Sequence, residues 1–123
     1  MFDQELVIEI LSQIDDAIEV VRTRFSVIHS IDDFLSTPEG LEKLDSICMK
    51  LIAIGESVKN IDKHTDNRLL ADYPDIDWKG VKGVRDIISH HYFDLDAEEI
   101  FDICETHLPP LHATIKQMIL DLQ

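Results

Sequence analysis

Apolar residues recur at a period near 3.6 along almost the whole chain, and that repeat leaves little room for anything but helices. Val7, Ile10, Ile14, Ala17, Val21 and Ile28 step by three, four and seven, and Leu6, Leu11, Ile18 and Phe25 widen the stripe. The spacing predicts a first helix from about Asp3 to about His29. Leu41, Leu44, Ile47, Leu51, Ile54, Val58 and Ile61 repeat the pattern after a break at 30–37. Pro38 suits the first turn of that second helix, with Thr37 or Ser36 as its N-cap and Glu39 favouring the dipole. Gly55 falls inside the helix, where glycine costs about 1 kcal/mol against alanine. A close helix crossing or backbone approach would justify it.

The second half reads the same way. Residues 62–77 form a connection with a possible helical turn at Arg68-Leu69-Leu70. A third helix then runs from about Trp78, capped by Asp77, to about His90. Trp78 is read as an anchor of core packing. Asp96 is the N-cap of a last helix with an acidic first turn at Glu98 and Glu99. Pro109-Pro110 interrupts that helix, and a kink or short break is expected there. The fold class is therefore all-α, an up-and-down bundle of four to five helices, with residues 1–123 as a single domain.

Composition narrows the class. Hydrophobic residues make up 45% of the 123, too many for a disordered chain. No run of about 18 apolar residues is present, so no transmembrane span is expected. The start Met1-Phe2-Asp3-Gln4-Glu5 lacks the basic and apolar regions of a signal peptide, which points to a cytoplasmic protein. The only cysteines, Cys48 and Cys104, sit within apolar helical patterns and are expected to be reduced and buried. His107 and His112 flank the two prolines, but no further Cys, His or carboxylate cluster completes a metal site, and no cofactor is implied.

The formal net charge is -14, which on average repels nucleic acid. Its distribution is uneven. Residues 43–85 hold eight of the eleven basic residues against seven acidic ones. Glu56 and Lys59, three apart, read as an exposed ion pair. The densest chemistry follows at once, in Arg85-Asp86-Ile87-Ile88-Ser89-His90-His91-Tyr92. An always-charged fork, imidazoles and a phenol suit phosphate chemistry. Asp86 and His90 share a helix face, whereas Arg85 and His90 stand about 140° apart on an ideal helix. To converge, Arg85 must reach round, the helix must distort, or a second protomer must bring its copy across an interface. The last is the preferred expectation.

The spacing Arg85-x-x-x-x-His90-x-Tyr92 resembles the signature of the HepT-like toxins of the HEPN group. Ala53-Ile54-Gly55-Glu56-Ser57-Val58-Lys59 is similar to an Ile-Gly-Glu-x-x-Lys stretch on that family's second helix. Pro74-Asp75-Ile76-Asp77-Trp78, Asp94-Leu95-Asp96 and Leu108-Pro109-Pro110-Leu111 match the segments around the motif, in order. The resemblance implies a homodimeric, HEPN-like bundle that cleaves RNA (tRNA or mRNA) without a metal, as the toxin of a two-gene toxin–antitoxin module. Its implied partner is a minimal nucleotidyltransferase antitoxin, which in some systems silences the toxin by transferring AMP to the motif tyrosine, here Tyr92. On this reading Arg85 and His90 are catalytic, and Asp86, His91 and Tyr92 support them. A reading from a different class is a non-catalytic binding subunit of a nucleotidyltransferase complex, with Arg85 and His90 structural.

Overall fold

Helix α1 (Gln4–Phe25) starts where Asp3 accepts the Leu6 amide at 3.1 Å on its side chain. It buries Val7, Ile10, Leu11, Ile14, Ile18 and Val21, the stripe the period predicts. The computed structural model describes residues 2–90 and 96–123, with only the backbone described for His90.

α1 ends at Phe25, four residues before the expected boundary at His29. Ser26 folds its hydroxyl back onto the Thr23 carbonyl at 2.6 Å, and the Ile28 amide closes a tighter turn onto Phe25. The segment 30–37, expected as a plain break, contains a one-turn helix, α2 (Ile31–Leu35). Asp33 makes that turn by accepting the His29 amide at 2.7 Å, and Phe34 is wholly buried. Five residues are too few to display a period, so the sequence hides this helix. Phe34 packs with Phe25 and Phe101, at centroid distances of 6.1 and 6.5 Å. That aromatic cluster ties the end of α1 to the start of the last helical segment.

Helix α3 (Pro38–Thr65) begins as expected, with Pro38 in the first turn and Thr37 accepting the Gly40 amide at 3.0 Å. It runs four residues beyond the last apolar stripe residue, Ile61. Thr65 is buried and donates its hydroxyl to the Ile61 carbonyl at 2.8 Å. Left-handed residues Asp66 and Asn67 (φ 55° and 59°) then end it. A short 3-10 turn, Leu70–Asp72, occupies the connection where a helical turn is expected two residues earlier. Tyr73 follows it and donates its hydroxyl to Asp121 at 2.6 Å.

Helix α4 (Trp78–His90) has the expected bounds. Asp77 accepts the Gly80 amide at 3.0 Å. Trp78 is buried and donates its indole N–H to the Tyr73 carbonyl at 2.9 Å, so it is the core anchor the sequence predicts. Helix α5 (Ala97–Asp102) is capped by Asp96, whose carboxylate accepts the amides of Glu98 and Glu99. The chain then widens into a π turn, Ile103–His107, before resuming as α6 (Leu108–Leu122). The interruption expected at Pro109-Pro110 therefore lies just upstream of the prolines. A proline ring collides with the carbonyl four residues back, and both of those carbonyls, on Glu105 and Thr106, belong to the π turn.

α6 lies antiparallel to α1. Gln4 bonds to Leu122, Asp15 pairs with Lys116, and Arg22 meets His112, so numbering falls on one helix as it rises on the other. α3 packs against both α1 and α4, and the described residues form the all-α bundle expected. Among them, no helix is long and apolar enough to cross a membrane.

His112 is buried in the α1–α6 seam. Its Nδ1 lies 3.0 Å from an Arg22 guanidinium nitrogen, which can only donate, so the ring proton belongs on Nε2. That nitrogen sits 2.9 Å from Asp15, close but not aligned as a hydrogen bond, and 3.5 Å from Glu19. His112→Ala is expected to cost about 2–3 kcal/mol in urea denaturation, because it strips Arg22 and Asp15 of a buried neighbour.

Cys48 and Cys104 are buried free thiols, as expected. Burial pushes each from an ordinary 9.0 up to about 12, Cys48 with help from Asp45 and Cys104 with help from Cys48. Tyr73 moves the same way, from 10.0 to about 12, chiefly through burial and its bond to Asp121. Between pH 9 and 12 the unfolded chain therefore releases protons that the folded chain keeps. Stability contributed by these groups is complete below pH 9 and is lost as pH rises through 12. Thermal midpoints measured at pH 7.5 and 10.5 should show the drop.

Candidate active site at the α3–α4 seam

The geometry of the seam is set by Gly55. A Cβ placed there would lie 2.8 Å from the Val81 carbonyl oxygen and 3.1 Å from Val84 Cγ1. Only glycine lets α4 come this close, which is the close crossing the mid-helix glycine predicts. Val84 and Ile88 turn inward and are buried. Their neighbours Arg85, Asp86 and Ser89 are exposed.

Two ion pairs bridge the seam. Lys82 reaches Asp62 at 2.6 Å, with the carboxylate mostly covered. Arg85 reaches Glu56 at 3.1 Å, and 56% of the Arg85 side chain stays exposed, so a solvent-borne ligand can reach it. Lys59 contacts the same Glu56 oxygen at 3.4 Å, which is the i,i+3 pair expected from spacing. The Arg85 hydrogen bond, reinforced by Lys59, holds the Glu56 carboxyl below its usual range. Lys59, Lys82 and Arg85 thus stand along one seam, each against a carboxylate.

The Arg85–Glu56 pair is the contact that sequence reasoning misses. Its two members lie 29 residues apart, and no local pattern links them. The available signal is Gly55: a glycine marking a close crossing puts the residue beside it within reach of the partner helix. Asp86 makes no ion pair with another described residue. The His90 side chain, His91 and Tyr92 lie outside the described side chains, so of the candidate residues only Arg85 and Asp86 are placed, and only Arg85 is held across the seam. Among the described residues, no three His, Cys, Asp or Glu side chains group as a metal site.

On the other flank of α4, a cavity of about 490 Å³ opens between α3, α4 and the π turn. Val81, Val84 and Ile87 line it from α4, with Ile54, Ile103 and Leu111 opposite. Arg85 is not part of its wall.

By class the chain is an all-helical bundle, with a guanidinium and an ammonium exposed on one seam. The family comparison specifies the class further. The model of the "Ribonuclease HepT-like" family matches residues 10–118, and the chain belongs to that ribonuclease family. A protein of Methanocaldococcus jannaschii named "Putative RNase" is 30% identical over 115 residues, covering 94% of this chain and 85% of its own. A second protein of that organism with the same designation is 25% identical over 108 residues, covering 80% and 86%. A "Putative RNase" of Caldanaerobacter subterraneus subsp. tengcongensis is 27% identical over 90 residues, covering 73% and 74%. No solved structure matches the chain.

Proposed function

We propose that this ribonuclease is the toxin of a two-gene toxin–antitoxin module and cleaves RNA without a metal, through Arg85 and His90. The observation that supports this most is the exposed Arg85 guanidinium beside Lys59, in a chain matched to the family over residues 10–118. Such cleavage needs a base for the 2′-hydroxyl proton, a cation for the charged phosphorane and an acid for the leaving 5′-oxygen. Arg85 supplies the cation, and its planar fork suits two phosphate oxygens at once. His90 supplies proton transfer near neutral pH. Asp86, one turn before His90, orients it.

One motif histidine per chain is one too few for both proton transfers, since His91 and Tyr92 are assigned supporting roles. A homodimer with facing motifs supplies the second. A nucleotidyltransferase antitoxin that adds AMP to Tyr92 would place bulk and negative charge where a phosphate must bind.

The test is wild-type and His90→Ala protein incubated with total RNA and a defined tRNA in EDTA. Cleavage by the wild type alone supports the reading. Where neither cleaves, intact mass decides. A gain of one adenylate on Tyr92 means a silenced toxin, and an unmodified inactive protein means a non-catalytic binding subunit.

A further inference from the structure

Arg85 and Lys59 reach Glu56 from two different helices, yet both contact the same oxygen, Oε1, at 3.1 and 3.4 Å. Two cations converging on one anionic oxygen make a site for an anion, and here a side chain of the chain itself occupies it. The carboxylate is exposed to solvent, so an anion arriving from solution meets it directly. Arg85 spends one N–H on Glu56 and, of its five donors, has others with which to hold a phosphate.

We propose that this convergence point is an RNA phosphate subsite, with Lys59 as a ligand of that phosphate and Glu56 as its resident counter-anion. The proposal rests on the ribonuclease site above and adds two residues to it. RNA binding replaces one anion with another. The phosphate takes the Arg85 and Lys59 contacts, and the Glu56 carboxylate swings into water. Exposed ion pairs of this kind are weak, so the exchange is readily reversible. Glu56 thereby lowers the affinity of the resting site for anions in general and favours a polyanion, which brings neighbouring phosphates to other basic groups. Lys82 does not share this role. It is held by Asp62, whose side chain is only 13% exposed, and that pair serves as a seam fastener.

The substitution that separates the alternatives is Glu56→Gln. Glutamine keeps an oxygen able to accept from Arg85 but removes the charge. Binding is read by fluorescence anisotropy on a 2′-O-methyl oligoribonucleotide, which cannot be cleaved, across a series of salt concentrations. Glu56→Gln should bind about three- to tenfold tighter than wild type, as expected for removing a like charge a few ångström from a phosphate. Lys59→Ala should bind about fivefold weaker, with a salt slope smaller by about 0.7. In an Arg85→Ala background the gain from Glu56→Gln should largely vanish. Equal or weaker binding by Glu56→Gln, with an unchanged circular dichroism spectrum, overturns the counter-anion role. So does a loss of turnover in that variant without any gain in affinity. Wild-type protein that cleaves RNA while Arg85→Ala does not keeps the parent site in place, even if Glu56→Gln is silent. Unmodified wild type that neither binds nor cleaves RNA overturns both.

Discussion

Arg85→Ala is expected to lower RNA cleavage by about two to three orders of magnitude while leaving the fold intact. Removing a donor that stabilises developing charge costs that much in comparable sites. The structural cost is small because the side chain is 56% exposed and its pair with Glu56 lies at the surface. Circular dichroism and the thermal midpoint should match those of the wild type, and cleavage of a defined tRNA should be lost. His90→Ala is expected to fall by a similar factor for a different reason, the loss of proton transfer. The two can be told apart by binding: Arg85→Ala should weaken affinity for an uncleavable oligoribonucleotide, and His90→Ala should leave it near the wild-type value. An Arg85→Ala protein that unfolds, or one that cleaves at the wild-type rate, removes Arg85 from the proposed chemistry.

The second large effect is on the seam itself. Gly55→Val places a branched side chain where even a Cβ stands 2.8 Å from the Val81 carbonyl oxygen. That contact is with backbone, which cannot rotate away, so α4 must move off α3. The expected loss is about 3 kcal/mol, or roughly 10 °C in midpoint for a chain of this size. Activity should fall further than stability alone accounts for, because Lys59 parts from Arg85 when the helices separate. Gly83→Ala is the matched control. A Cβ there meets no described atom within 4 Å, so helix propensity alone applies, and a gain of about 0.5–1 kcal/mol is expected. Equal effects from the two substitutions would mean that the crossing at Gly55 is not tight in solution.

The long helices were legible because each combines a sustained apolar stripe with a chemical start signal. Thr37-Pro38, Asp77 and Asp96 cap the helices they are expected to cap. What was missed has a common cause. α2 is one turn long and shows no period, and Ser26 and the Ile28 amide end α1 through contacts that only a folded turn provides. The π turn at Ile103–His107 was legible as a disturbance near Pro109-Pro110, but not as a widening upstream of them. The sequence offers His112 only as a histidine beside the prolines, whereas its partners Asp15, Glu19 and Arg22 come from a helix some ninety residues earlier.

By itself, then, the sequence determined the long helices, the apolar face of each and the N-caps at Thr37, Asp77 and Asp96. Those properties are local: they follow from spacing of 3.6 and from side chains bonding to amides two or three residues away. Only the tertiary structure decided which helices touch, and therefore which charges meet. Arg85 against Glu56, Lys82 against Asp62 and His112 between Asp15 and Arg22 each join residues 20 to 97 positions apart. Burying the stripes sets the packing of the bundle, and the close approach at Gly55 then brings the charges flanking it into contact. The candidate site is thus a consequence of how the core packs.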